Sequence, residues 1–224
     1  MSKYYAKNLS AARLKRCYDI APPRIRQYLK SELNQIISYM GNDKTVLELG
    51  CGYGRIIREI CPKSLFVTGI DNSISNLIMA KDYLAKYKNH SLAQMDAGQL
   101  GFSDNSFNIV LCIQNGISAF KINPEILVTE AIRLTTRKGI IVFSSYSERF
   151  WDERLHWFEL QAREGLLGEI DYDQTGNGII TCKDGFKATT FGSKQFREIT
   201  DRLNLKADIF EVNQSSVFCI IPVE

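Results

Sequence analysis

The stretch "VLELGCGYGR", Val46 to Arg55, runs a short apolar segment into three glycines at every second position, Gly50, Gly52 and Gly54. Such a segment reads as a buried strand, and the glycine turn at its carboxyl end leads into a helix. In an open α/β sheet this is where ligands bind. A dinucleotide fingerprint requires G-x-G-x-x-G, so that a helix N-terminus meets a pyrophosphate. Here the spacing is G-x-G-x-G, and Arg55 stands where the third glycine belongs. A Walker loop fails too, because no G-K-[ST] follows.

Outward from this turn, short apolar runs alternate with helical patterns. "TVLELG" (45–50), "LFVTGID" (65–71), "SLAQMD" (91–96), "FNIVLCI" (107–113) and "GIIVFSS" (139–145) read as parallel strands, with helices over 55–60, 75–87 and 123–137 between them. Asn123 and Pro124 start the last helix, and Gly139 marks its stop. Ahead of them, Ile25, Tyr28, Leu29, Leu33, Ile36, Ile37 and Met40 recur at helical spacing after Pro22 and Pro23. Residues 146–192 interrupt the rhythm with an aromatic helix (147–165) and a hairpin whose tight turn is Asp184-Gly185. A helix over 193–205 and two strands, near 207–212 and 216–223, close the chain. The expected fold is a Rossmann-like, seven-stranded, mostly parallel sheet with helices on both faces.

Two acids refine the ligand. Asp71 ends the second strand 21 residues beyond Gly50, a position from which a carboxylate accepts ribose hydroxyls. Asp96 ends the third strand, where it can accept from an adenine amino group. Together with the shortened turn, they describe a nucleoside ligand without a pyrophosphate.

E-x-G-x-G-x-G at 48–54, "GIDNS" at 69–73 and "DAGQLGFSDNSFNIV" at 96–110 resemble the class I S-adenosylmethionine-dependent methyltransferases, particularly their type 11 group. Asn108 and Gly101 depart from residues common in that group, at positions away from expected cofactor contacts. The resemblance implies that Gly50, Cys51 and Gly52 pass close to the methionine part and ribose. It further implies that Asp71 binds the ribose, Asn72 flanks adenine, Asp96 and Ala97 read the adenine edge, Gln114 faces the methionine part and Glu48 organises the loop. It divides one domain into N-terminal lid helices (1–41), a cofactor-binding core (42–145), a substrate-side insertion (146–192) and a closing segment (193–224). From the lid, Tyr18 and Arg24 are expected to approach S-adenosylmethionine or its product S-adenosylhomocysteine. Tyr146, Phe150, Trp151, His156, Trp157 and Tyr172 are candidates for an acceptor pocket, and no catalytic side chain is singled out.

The bulk composition, 45% hydrophobic and 24% charged, suits a globular chain rather than a disordered one. No apolar run approaches the ~20 residues of a membrane helix, and "MSKYYAKNLSAARLKRC" lacks a secretory core, so a cytoplasmic protein is expected. Six scattered cysteines and two histidines suggest neither disulfides nor a metal. Net charge is +3, yet residues 1–30 carry eight basic side chains against Asp19, a net of +7 that leaves −4 for the rest. A small-molecule acceptor is the first expectation, since "IQNGISAF" after the fourth strand differs from the N-P-P-Y sequences of nucleic-acid amino methyltransferases. RNA or protein held by the basic segment is the alternative, and a cofactor-binding module without turnover a third. Oligomeric state is not legible.

Overall fold

A computed structural model describes Tyr4 and residues 8–224; the lid expected over 1–41 lies outside the described residues at 1–3 and 5–7. Helices α1 (Ala12–Asp19) and α2 (Pro23–Ile37) precede strand β1 (Thr45–Leu49). There follow α3 (Arg55–Ile60), β2 (Phe66–Asp71), α4 (Ile74–Tyr83), β3 (His90–Gln94), β4 (Phe107–Cys112), α5 (Gly116–Ala119), α6 (Pro124–Leu134) and β5 (Thr135–Tyr146). The insertion contributes α7 (Trp151–Arg163) and the hairpin β6 (Ile179–Thr181) and β7 (Lys187–Thr189); α8 (Ser193–Arg202), β8 (Asp208–Val212) and β9 (Ser216–Pro222) complete the chain.

The main sheet has seven strands in the order β3-β2-β1-β4-β5-β9-β8. Strands β1 to β5 are parallel, whereas β9 pairs antiparallel with both β5 and β8. Strand order reverses between β1 and β4, which opens a crevice beyond their carboxyl ends.

Alternation along the strands builds two cores. Leu47, Leu49, Val110, Ile141 and Phe143 face α6 and α8 through Leu127, Val128, Ala131, Phe196 and Ile199. Their neighbours Val46, Ile109, Leu111 and Val142 face the other way, against Ile36 of α2, Ile56, Ile57 and Ile60 of α3, and Leu77 of α4. Leu9, ahead of α1, and Cys17, in its last turn, pack into the insertion with Phe158, Ile180 and Phe186. This contact is reinforced by the Trp157 indole N–H, which donates to the Cys17 carbonyl at 2.9 Å. All six cysteines are buried free thiols. Among the described residues, no helix is long and apolar enough to cross a membrane.

Several boundaries differ from the expectations. The third strand ends at Gln94 rather than Asp96, and the sixth helix ends at Leu134 rather than Arg137. There the Thr135 hydroxyl bonds back to the Ala131 carbonyl at 2.7 Å and the chain turns straight into β5. Gly139 is therefore a strand residue and not a helix stop. A Cβ there would lie 2.6 Å from the Asn108 carbonyl oxygen of the adjacent strand, so close approach of two backbones, rather than helix termination, is what this glycine provides.

Candidate functional site

The glycine turn after β1 is held by backbone geometry that favours glycine: φ is +73° at Gly50, +55° at Gly52 and +86° at Gly54. A Cβ at Gly50 would sit 2.6 Å from the Phe120 ring, and one at Gly52 would sit 3.0 Å from Leu14 Cδ2. The turn thus forms one wall of a cavity of about 140 Å³, roofed by Leu9, Leu14, Tyr18 and Phe120. Of the residues singled out from the sequence, Tyr18, Glu48, Gly50, Cys51, Gly52, Asp71, Asn72 and Gln114 line this cavity.

Asp71 ends β2 beside the turn. Its carboxylate accepts from Gly52 N–H (2.9 Å), Ser73 N–H (2.8 Å) and the Asn76 amide (3.2 Å). Burial raises its pKa, and those three donors hold the rise in check. The Asn76 side-chain oxygen accepts from Ala11 N–H at 2.6 Å, which ties the segment before α1 to the cavity rim.

Gln114 follows β4 in a left-handed conformation, φ +51°, and Asn115 follows at +61°. Consecutive non-glycine residues in this region are strained and persist only where neighbours dictate them. Here Gln114 N–H donates to Ser144 Oγ (2.9 Å) and to Glu32 Oε1 (3.3 Å), while the Asn115 amide bonds the Thr189 carbonyl and accepts from Ser145. The turn so fixed presents the Gln114 side chain to Tyr18, whose hydroxyl donates to its Oε1 at 2.7 Å.

At the cavity wall lies a buried ionic group in which Glu48 meets two residues the sequence reading did not assign to the site, Glu32 and Arg55. Glu48 has the strand parity of Val46 and projects toward α2 and α3. Glu32 reaches it from α2, where it accepts from Ser144 Oγ at 2.6 Å and from Tyr28 at 3.4 Å. Arg55, first in α3, lays its guanidinium 4.8 Å from the Tyr18 ring centroid. Burial pushes the Glu48 carboxyl up to about 8, against the opposing pull of Arg55, and it raises Glu32 as well. Burial disfavours the Arg55 charge, but facing Tyr18, Glu32, Tyr53 and Glu48 leave its pKa net raised. Glu48 Oε2, Glu32 Oε2, Arg55 Nη2 and Gln114 Nε2 are buried without a hydrogen-bond partner. Glu48, Arg55 and Gln114 line the cavity and Glu32 stands behind Gln114, an arrangement prepared for a polar ligand. For Glu32 a signal existed: it falls on the buried stripe Ile25-Tyr28-Glu32-Ile36, where an acid is out of place.

Three expected residues lie elsewhere. Arg24 donates to the Asn213 carbonyl at 2.8 Å and stacks 5.0 Å from the Phe150 ring centroid, so packing, not the cavity, uses its charge. Asp96 is exposed and accepts from Gly98 N–H at 2.9 Å, and Ala97 is buried in the sheet core; neither lines the cavity. Among the aromatic candidates, Tyr146 and Trp157 line an adjoining cavity. Phe150 is core, Tyr172 is 64% exposed, and His156 stands at the surface 3.7 Å from Glu159. Among the described residues, no cluster of His, Cys, Asp and Glu is arranged to hold a metal ion.

Residues 46–139 match a family described as a methyltransferase domain. Among solved structures, the PH0226 protein from Pyrococcus horikoshii OT3 superposes with a TM-score of 0.67 at 18% identity, covering 100% of both chains. An S-adenosylmethionine-dependent methyltransferase from Methanosarcina mazei gives 0.62 at 18% identity over 84% of this chain and 96% of its own. The N-methyltransferase NodS from Bradyrhizobium japonicum, in complex with S-adenosylhomocysteine, gives 0.57 at 14% identity over 99% and 95%. No curated protein matches the sequence significantly.

Proposed function

We propose that this chain, whose residues 46–139 match the methyltransferase-domain family and whose sheet is that of the class I S-adenosylmethionine-dependent methyltransferases, transfers a methyl group to a small-molecule acceptor. The observation that carries the reading is the set of unpartnered buried atoms beside the glycine turn. S-adenosylmethionine offers them complementary groups. Its carboxylate suits Arg55 Nη2 and Gln114 Nε2, and its ammonium suits Glu48 Oε2. Asp71 is the acceptor available to a ribose, with Asn72 beside it, and the positive φ of Gly50 and Gly52 lets a ligand approach the backbone directly. Asp96 and Ala97, on the neighbouring strand end, are assigned to the adenine edge in the same reading.

When bound, the cofactor would supply a sulfonium methyl carbon: the acceptor's lone pair would form the new bond to it while the pair of the breaking carbon–sulfur bond goes to sulfur. The residues of this chain align and exclude water. Tyr18, held on Gln114, and the apolar Leu9 and Leu14 cover part of the cavity, a position that supports the lid assignment.

A small acceptor is favoured over RNA or protein by the fate of the basic N-terminal residues. Arg16 pairs with Glu164 at 2.7 Å, Lys15 with Asp19 at 2.7 Å, and Arg13 donates to the carbonyls of Gly165 and Leu166. Among the described residues, these three side chains make contacts within the chain. Six buried thiols suit a reducing compartment, and we infer a cytoplasmic site of action.

Isothermal titration calorimetry with S-adenosylhomocysteine tests the assignment. Saturable 1:1 binding is expected, weakened at least tenfold in Arg55→Met; no binding by the wild-type protein would refute it.

A further inference from the structure

Three charged side chains converge beside the glycine-turn cavity from three separate elements: Glu32 of α2, Glu48 of β1 and Arg55 of α3. Glu32 is fully buried and Glu48 nearly so, yet Glu32 Oε2, Glu48 Oε2 and Arg55 Nη2 have no hydrogen-bond partner. We propose that Glu32 is a positioning residue for the amino-acid end of the cofactor: with Glu48 it holds one proton in the free protein, and an arriving α-ammonium displaces that proton to solvent. The inference rests on the methyltransferase reading and adds to it a residue that does not line the cavity.

Geometry comes first. The other Glu32 oxygen is committed, since Oε1 accepts from Ser144 Oγ at 2.6 Å, from Gln114 N–H at 3.3 Å and from the Tyr28 hydroxyl at 3.4 Å. Those bonds tie the carboxyl group to the left-handed turn that carries Gln114 to the cavity wall. Oε2 is thus held in place without a donor. Glu48 and Arg55 line the cavity itself. Leaving buried charged groups without partners is costly, so three such atoms in one place point to a ligand.

Charge decides next. A guanidinium keeps its charge near neutrality. Two ionised carboxylates against it leave one negative charge uncompensated in a buried setting, which is strongly disfavoured. One proton on the pair removes that charge. The groups facing the pair, among the described residues, supply no second cation. Asp71 of β2 faces Glu48 as a further acid, held by its three N–H donors. The phenols of Tyr18, Tyr28 and Tyr53 and the thiols of Cys51, Cys61 and Cys112 are all pushed up by burial and stay neutral. Burial raises both glutamates as well, Glu48 to about 8.

An α-ammonium carries one positive charge and three N–H donors. It therefore replaces the proton in charge and in hydrogen bonding, and both carboxylates stay ionised around Arg55. The protein loses a proton on binding, so affinity rises with pH while the free pair is protonated and levels off above its pKa.

The test is calorimetry on the full chain with two ligands: S-adenosylhomocysteine and 5′-methylthioadenosine, a nucleoside thioether without the amino-acid end. Titrations at pH 7 in phosphate and in Tris, whose ionisation enthalpies differ, count the protons exchanged. About one proton should leave per S-adenosylhomocysteine bound, with affinity rising nearly tenfold between pH 6 and pH 7 and flattening above about pH 8. With 5′-methylthioadenosine no proton should leave. Glu32→Gln keeps the shape and the acceptor for Ser144 but removes one carboxyl, so Glu48 and Arg55 balance without a proton. Its proton release and pH slope should vanish while S-adenosylhomocysteine still binds, whereas a merely structural acid predicts no change in either. Glu48→Gln makes the same change in the charge count and decides the matter if Glu32→Gln does not fold. No proton release in the wild type, equal release with 5′-methylthioadenosine, or unchanged release in the folded variant overturns the proposal, while binding of S-adenosylhomocysteine keeps the methyltransferase reading. Absence of that binding in the wild-type protein overturns both.

Discussion

Replacing Glu48 by Gln isolates the charge at the floor of the candidate site. Glu48 is 3% exposed, Oε2 has no hydrogen-bond partner, and burial raises its carboxyl from an ordinary 4.5 to about 8. The folded protein therefore binds a proton there that the unfolded chain releases. With a folded pKa above the unfolded one, the stabilisation is complete below pH 4.5, declines as pH rises, and is gone once pH passes about 8. At 1.36 kcal/mol per pH unit, the full difference is on the order of 3 to 5 kcal/mol. Gln has the shape of the protonated acid and does not titrate. Urea denaturation of wild type and Glu48→Gln from pH 5 to pH 9 should show similar stabilities at pH 5 and a growing advantage for the variant, reaching several kcal/mol by pH 9. Parallel profiles would mean that Glu48 keeps its charge at neutrality, and the account of the buried ionic group would fail. The same assay with saturating S-adenosylhomocysteine should show a weaker pH dependence, because an ammonium beside Glu48 favours its ionised form.

Asp71→Ala deprives three donors of their acceptor and should lower stability by about 3 kcal/mol or more in urea. Asp71→Asn keeps one carbonyl acceptor, should remain folded, and should weaken S-adenosylhomocysteine by ~1 to 3 kcal/mol in calorimetry; unchanged affinity removes it from the ribose site. Asp96→Asn changes an exposed side chain, so the melting temperature should hold while cofactor affinity falls by about 1 kcal/mol; an identical dissociation constant dissociates Asp96 from adenine. Hydrogen exchange should show residues 8–30 protected on binding S-adenosylhomocysteine, and identical exchange there would contradict a lid.

The architecture was legible in the sequence because its signals are local. Alternation of apolar strands with helical periods, glycines that need positive φ, and acids at strand ends are all written within a few residues of each other. Asp71 could be named because it lies where a strand delivers it to the carboxyl edge of the sheet. Glu48, Gly50, Gly52 and Gln114 were named through the family resemblance carried by "VLELGCGYGR" and "GIDNS". Arg24 did not follow, because whether a helix arginine faces a cavity or the Asn213 carbonyl depends on the rotation of α2 against β8 and α7, which no spacing within α2 specifies. Glu32 and Arg55 were hidden for a related reason. One sits on a helix 16 residues before Glu48 and the other seven residues after it, and their mutual charge coupling exists only once β1, α2 and α3 are packed. The sequence by itself determined the order of elements and the strand-end residues, since backbone sterics and hydrophobic periodicity act over short range. Only the tertiary structure decided which buried charges meet and that the insertion walls a second, ring-lined cavity, because burial and Coulomb energy depend on distances between segments far apart in the chain.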